Sequence, residues 1–254
     1  MAGSTGTVLI PAMGNSLRFT SAGYLGPKAL LPIGTPDGEV DTMIGRVVRH
    51  YPAGWDIRVI APRDHADAIE KAIRRTRPFG RVDVLPVVGR TEGQSSTILL
   101  GLVHCRLDLD RPVIVNNCDV ALRAPVPTSL SEMPHSTILV HSHPEGDPIY
   151  SYVETSITDG LPRALRVQEK ARFDCSRQMA QTGVWLFREP RTLVEMLREQ
   201  IADDQRVGGE LYLSGAIDRL VRRHGMGVLT VDEDQFLDMG TPDTIRTGGM
   251  EILA

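Results

Sequence analysis

Apolar positions along this chain switch between two periods. Short β-branched runs predict strands at Thr7–Ala12, Ile57–Ala61, Val82–Val88, Val113–Asn116, Thr137–His141, Ser151–Thr155, Gly183–Phe187 and Val228–Val231. Amphipathic stretches between them predict helices at Thr42–His50, Asp64–Arg75, Ser95–Val103, Arg191–Ile201 and Glu210–Arg223. Within Asp64–Arg75, for example, Ala68, Ile69 and Ile73 recur at helical spacing. Up to Asn116 strands and helices alternate, which is the order of a parallel sheet wound right-handedly. Beyond it strands crowd together. Turn signals stand between them at Pro144-Glu145-Gly146-Asp147 and Thr158-Asp159-Gly160, and a short strand at Leu165–Val167 follows the second. This half reads as a mixed sheet extending the first. With no Pro/Ser-rich linker and no internal repeat, the pattern predicts one α/β domain over residues 1–254.

Composition narrows the class. The chain has 254 residues, 41% hydrophobic, with net charge −4 and a pI near 6.0. A general nucleic-acid binder would carry a basic excess. Cys105, Cys118 and Cys175 are widely spaced and form neither a zinc pattern nor a disulfide framework. No apolar run approaches the ~20 residues of a membrane span, and MAGSTGTVLI lacks the features of a signal peptide. A cytoplasmic protein with no membrane partner is the expectation.

Candidate chemistry begins in the segment VLIPAMGNSLRFTSAGYLGPKALLPI, from Val8 to Ile33. An apolar strand breaks into a loop, Pro11-Ala12-Met13-Gly14-Asn15. Such a loop can turn backbone N–H groups toward phosphates, and two following cations, Arg18 and Lys28, can neutralise them. That order suits a nucleoside triphosphate. Lysine is rare here: Lys28, Lys71 and Lys170 are the three among 28 lysines and arginines. A retained lysine marks a place that needs a compact ammonium, although Lys71, on an amphipathic helix, reads as solvated charge.

Asn116-Asn117-Cys118-Asp119 closes a predicted buried strand. A carboxylate just past the C-terminal end of a strand sits at the ligand edge of an α/β sheet. Asp119 there can hold Mg²⁺, or can cap a helix or close an Asx-turn. Asp238-Met239-Gly240-Thr241-Pro242 offers a second carboxylate, which could meet the first only in the folded state, or could merely cap a final helix. Thr91-Glu92-Gly93-Gln94-Ser95-Ser96-Thr97 puts small polar residues at a helix start. Gln94 carries a donor and an acceptor to read a base edge, and Ser95 or Ser96 can serve as N-cap. His141 and His143 alternate on one strand and so share a face, with Asp147 nearby, which is a further metal-site candidate. There is no Gly-x-Ser-x-Gly elbow, HExxH or P-loop.

Together these motifs resemble the sugar-phosphate nucleotidylyltransferases, whose opening signature is roughly G-x-G-x-R-x(n)-P-K-x-L-x-P. The form here, Arg18-Phe19, Ala22-Gly23-Tyr24, Pro27-Lys28, looks most like the short members from capsule and secondary-metabolite clusters. The resemblance spans Val8 to Thr244. It implies a Rossmann-like three-layer αβα sandwich, GT-A-like, with a mixed, mostly parallel central sheet and no C-terminal β-helix. It implies a nucleotide-binding half at about 1–118 and an acceptor-binding half at about 119–254. It assigns Pro11, Ala12, Met13, Gly14, Asn15, Gly93, Gln94, Ser95 and Asn117 to the nucleotide, and Arg18, Lys28 and Lys170 to catalysis on the phosphates. It assigns Asp119 and Asp238 to Mg²⁺, and Glu154, Glu169, Thr182, Gly183 and Glu210 to the acceptor.

The implied reaction joins an NMP from a nucleoside triphosphate to a phosphorylated acceptor, such as a sugar 1-phosphate or another phosphate or phosphonate, and releases pyrophosphate. Nucleic acid is no partner, and a homodimer is left open. The chain departs from the signature at Ser16, where the family has a second glycine, and at Leu17. A GT-A glycosyltransferase is one rival, opposed by cations suited to a triphosphate. A catalytically silent nucleotide-binding relative is the other, opposed by retention of both aspartates and both motif lysines.

Overall fold

The computed structural model describes residues 6–123, 134–143, 149–171 and 177–253. The predicted turn at Pro144–Asp147 and Cys175 lie outside the described residues. The chain runs β1 (Thr7–Pro11), α1 (Leu17–Ser21), a tight turn at Lys28–Leu30, β2 (Pro32–Gly34), β3 (Val40–Thr42) and α2 (Met43–Arg49). Next come β4 (Asp56–Pro62), α3 (Arg63–Thr76), β5 (Val82–Val87), α4 (Gln94–His104), β6 (Val113–Asn116), β7 (Val120–Leu122), β8 (Thr137–His141) and β9 (Ser151–Thr158). The remainder is β10 (Leu161–Glu169), β11 (Gln178–Phe187), α5 (Pro190–Ala202), α6 (Leu213–His224), β12 (Gly227–Thr230), β13 (Phe236–Asp238), α7 (Pro242–Thr247) and β14 (Glu251–Ile252).

Nine strands form one sheet in the order β5-β4-β1-β6-β11-β8-β12-β10-β9. From β5 to β6 every pairing is parallel, as the strand–helix alternation predicts. The expectation of a mostly parallel sheet is corrected beyond that point. Only β8–β12 is parallel there, while β6–β11, β11–β8, β12–β10 and β10–β9 are antiparallel. The cause is local. Asp159 and Gly160 take φ of 52° and 75°, so the two residues between β9 and β10 close a tight hairpin where a crossover helix would have kept the strands parallel.

Strand alternation gives the sheet two apolar faces. Val8 and Ile10 pack with Ile44, Val48, Ile69 and Ile73 of α2 and α3. Leu9 packs instead with the group containing Ile98, Leu102, Leu197, Ile217 and Leu220 of α4, α5 and α6. The helix predicted from Glu210 starts at Leu213 instead. Leu211 cannot enter it, because its N–H donates to the Glu92 carbonyl and its carbonyl accepts from the Ser95 N–H. Two small sheets, β13-β7 and β14-β2-β3, escape the sequence pattern because no strand in them exceeds three residues.

Candidate active site

A cavity of about 490 Å³ opens where β1 and β6 end. Sixteen of the nineteen predicted site residues line it: Pro11, Met13, Gly14, Asn15, Arg18, Lys28, Gly93, Gln94, Asn117, Asp119, Glu169, Lys170, Thr182, Gly183, Glu210 and Asp238. They come from both ends of the sequence, so the fold itself assembles the site.

The two aspartates meet through the β7–β13 ribbon. Asp238 pairs in register with Val120, and the Met239 N–H donates to the Asp119 carbonyl at 2.8 Å. A Cβ built on Gly240 would lie 2.9 Å from Asp238 Oδ1 and 3.6 Å from Asp119 Oδ2, so the carboxylates flank one point. Burial and the neighbouring Asp119 charge hold the Asp238 carboxyl above its ordinary pKa, against hydrogen bonds from the Tyr150 hydroxyl at 2.7 Å and the Gly240 N–H at 2.7 Å. Lys28 Nζ donates to Asp119 Oδ2 at 2.5 Å. Burial alone would lower the lysine pKa, but the Asp119 charge and hydrogen bond outweigh it and the net shift is upward.

Two close, partly buried carboxylates form a hard-oxygen site that fits a divalent cation such as Mg²⁺. Among the described residues no group of three or more His, Cys, Asp or Glu converges on a metal position, so further ligands would come from water or phosphate. His141 and His143 form no such group. Burial lowers the His141 pKa to about 4, and its ring lies among His143, Tyr150 and Phe236.

The loop after β1 is held by Ser16. Ser16 adopts φ 54°, the left-handed conformation that glycine takes most easily. Its hydroxyl does not cap α1; it accepts the backbone N–H of Lys28 at 3.0 Å. The loop after β1 and the turn carrying Lys28 are thereby tied together. Gly93, at φ 140°, permits a close crossing: a Cβ there would stand 2.5 Å from the Leu211 nitrogen. Gln94 sits beside it with both ends of its amide engaged, Nε2 donating to Asn117 Oδ1 at 2.5 Å and Oε1 accepting from the Leu213 N–H at 3.3 Å.

On the far side, Glu169 accepts hydrogen bonds from the hydroxyls of Ser151 and Ser214. Lys170 has φ 50° and donates its N–H to the Tyr150 carbonyl at 3.1 Å. Its ammonium donates to the Tyr212 hydroxyl and lies 4.3 Å from that ring's centroid. Gly183, at φ 93°, lets Asn117 approach, since a Cβ would stand 2.7 Å from Asn117 Nδ2.

Three expected site residues do not line the cavity. Ala12 is buried, its N–H donating to the Ile60 carbonyl. Ser95 is fully buried and its hydroxyl donates to Gln200 Oε1 at 2.7 Å, joining α4 to α5. Glu154 pairs with Arg166, because strand alternation puts it on the opposite sheet face from Ser151 and Val153. Sequence reasoning also missed wall residues, chiefly Arg90, Gln181, Arg206 and Ser214. Arg206, in a polar loop, gave no periodic signal; it forms ion pairs with Glu92 and Asp204.

This mixed α/β fold is that of nucleotide-sugar pyrophosphorylases and related nucleotidyltransferases. The nucleoside-diphosphate-sugar pyrophosphorylase from Vibrio cholerae RC9 superposes with a TM-score of 0.77 at 21% identity, over 94% of this chain and 98% of that one. A UDP-glucose pyrophosphorylase complexed with UDP-glucose gives 0.73 at 17% identity, over 96% and 97%. The inositol-1-phosphate CTP transferase from T. maritima gives 0.63 at 12% identity, over 96% and 93%. No family model matches the chain, and no curated protein matches it.

Proposed function

We propose that this protein is a Mg²⁺-dependent nucleotidylyltransferase on a Rossmann-like, GT-A-like αβα frame. It transfers an NMP from a nucleoside triphosphate to a phosphorylated small-molecule acceptor. The observation that carries the reading is the linkage across the cavity: Asp119 is bonded to Lys28, and Asp238 is bonded through Tyr150 to the backbone of Lys170. The aspartate pair thus joins a triphosphate end, with Arg18 and Lys28, to an acceptor end, with Glu169, Lys170 and Thr182.

An acceptor phosphate oxygen attacks the α-phosphorus, the bond to the bridging oxygen of the β-phosphate breaks, and pyrophosphate leaves. A phosphate monoester has a second pKa near ~6 and is largely dianionic at neutral pH, so it needs no general base. The protein supplies alignment and charge. Arg18 and Lys28 neutralise the departing pyrophosphate, and Lys170 draws in the acceptor phosphate. Asp119 and Asp238 would hold Mg²⁺, which when bound offsets charge on the triphosphate. Met13, Gly14, Asn15, Gly93 and Asn117 cradle the nucleotide. Pyrophosphate release from CTP, UTP, dTTP, GTP and ATP, each paired with hexose 1-phosphates and other phosphate or phosphonate acceptors, tests this. Release from one triphosphate with one acceptor class is expected; no release from any pair refutes it.

A further inference from the structure

Tyr150 is a half-buried residue of the cavity wall. Its hydroxyl donates to Asp238 Oδ2 at 2.7 Å, while Asp238 Oδ1 accepts the Gly240 N–H at 2.7 Å. Each oxygen of this carboxylate therefore has its own donor. A donor at either end opposes rotation of the group, and each oxygen keeps a further lone pair for a ligand. The Gly240 donor belongs to the main chain, so Tyr150 is the side chain that completes the pair.

Both the backbone and the ring of Tyr150 are held. Ser151 pairs with Glu169 where β9 starts and β10 ends, and the Lys170 N–H extends that ladder by donating to the Tyr150 carbonyl at 3.1 Å. The ring meets two histidines at and just past the end of β8. Its centroid lies 4.9 Å from that of His143, at 71°, and 5.3 Å from that of His141, at 80°. Such edge-to-face contacts set the orientation of a ring. The His141 centroid also lies 4.8 Å from that of Phe236, which stands on β13 two residues before Asp238. His141 thereby bridges the phenol and the strand that carries the aspartate.

We infer that Tyr150 is the positioning residue of the cation site: its hydroxyl aims the Asp238 carboxylate at a divalent ion, and His141 and His143 aim the hydroxyl. The inference rests on the assignment of Asp119 and Asp238 to Mg²⁺ in the proposed function. Donors outside the ligand sphere orient ligating carboxylates, and removing one weakens metal binding ~10–100-fold.

The test uses Mn²⁺ alone, with the free ion counted by electron paramagnetic resonance, on wild type, Tyr150→Phe, Asp238→Asn, the double variant and His143→Ala. Phenylalanine keeps the ring between the histidines and removes only the donor. Tyr150→Phe should raise the Mn²⁺ Kd about tenfold or more. Asp238→Asn should raise it further, and the double variant should bind no worse than Asp238→Asn, because the hydroxyl then has no carboxylate to aim. His143→Ala should give a smaller loss in the same direction. In turnover, Tyr150→Phe should need more Mg²⁺ for its half-maximal rate by the same factor, while kcat at saturating Mg²⁺ returns to within a few-fold of wild type. A merely structural role would instead lower kcat at every Mg²⁺ concentration and would add to the Asp238→Asn loss. An unchanged Mn²⁺ Kd in Tyr150→Phe, additive losses in the double variant, or a kcat deficit that excess Mg²⁺ does not restore overturns the inference. Binding lost in Asp238→Asn but intact in Tyr150→Phe overturns it and leaves the cation assignment standing. Weakened Mn²⁺ binding in Tyr150→Phe, with no nucleotide turnover from any substrate pair, upholds the role of Tyr150 and sinks the transfer reading.

Discussion

Ser16 carries two opposed effects that substitution separates. Its backbone lies at φ 54°, and its hydroxyl holds the partly buried N–H of Lys28 at 3.0 Å. Left-handed backbone costs a non-glycine residue roughly 1–2 kcal/mol. The hydrogen bond contributes ~0.5–1.5 kcal/mol. Ser16→Ala keeps the strain and loses the bond, so it should destabilise by about 1 kcal/mol. Ser16→Gly loses the bond and relieves the strain, less ~0.4–1 kcal/mol for the greater freedom of the unfolded glycine, and should stay within about 0.5 kcal/mol of wild type. Urea unfolding analysed by linear extrapolation reads the difference. For a chain of this size about 1 kcal/mol corresponds to a Tm shift of roughly 2–4 °C. Triphosphate binding provides the second axis. Both variants release Lys28, so both should weaken triphosphate affinity alike, by a few-fold, although only one is less stable. An alanine variant as stable as wild type, a glycine variant no more stable than alanine, or unchanged affinity in both would refute the reasoning.

Asp119→Asn and Asp238→Asn should each lower turnover by at least roughly a hundredfold, the scale of one preorganised electrostatic contact; full activity in EDTA or in both variants would remove the metal assignment. Lys28→Ala should damage triphosphate use while Lys71→Ala is nearly silent, as steady-state kinetics with matched circular dichroism would show; equal effects would show that lysine scarcity misleads. The pH profile of stability isolates His141, whose pKa burial lowers from 6.5 to about 4. Between those values the unfolded chain binds a proton that the folded chain refuses, so stability falls as pH drops through that window, by about 3 kcal/mol at most. Unfolding measured from pH 7 to pH 4 should show a shallower loss in His141→Phe, and parallel curves would contradict the assignment.

What the sequence revealed follows from how local each signal is. The parallel half was legible because its sheet strands β1, β4, β5 and β6 and the helices α2, α3 and α4 are long enough to show their own period. Asp119 was legible because it directly follows a buried strand, and Asp238 because a turn motif surrounds it. Their meeting was not legible, since the three-residue strands β7 and β13 that join them lie below any pattern length. Glu154 failed for the opposite reason. Its strand was correctly anticipated, but cavity or solvent-side placement depends on one residue of register. Gln94 reached the cavity wall, yet its amide is held by Asn117 and the Leu213 N–H, partners 23 and 119 residues away.

The charge on the cavity wall argues for a further cation from the ligand side. Among the described lining residues, Arg18, Lys28, Arg90, Lys170 and Arg206 stand against Glu92, Asp119, Glu169, Glu210 and Asp238. Arg206 is paired with Glu92, and Lys28 with Asp119, so two of the five cations are already answered within the protein. A triphosphate entering alone would meet no net positive wall. A divalent ion brought with it would offset both the burial and the Asp119 repulsion that raise the Asp238 pKa, and would compete with Lys28 for Asp119. The lysine whose ammonium such an exchange would free is the one whose backbone N–H is held by the Ser16 hydroxyl, in the loop proposed to hold the phosphates. On this reading the Lys28–Asp119 pair is the resting state of the site. The cost of opening it would then be offset when metal and phosphate arrive together, which would make the lysine's availability conditional on the substrate.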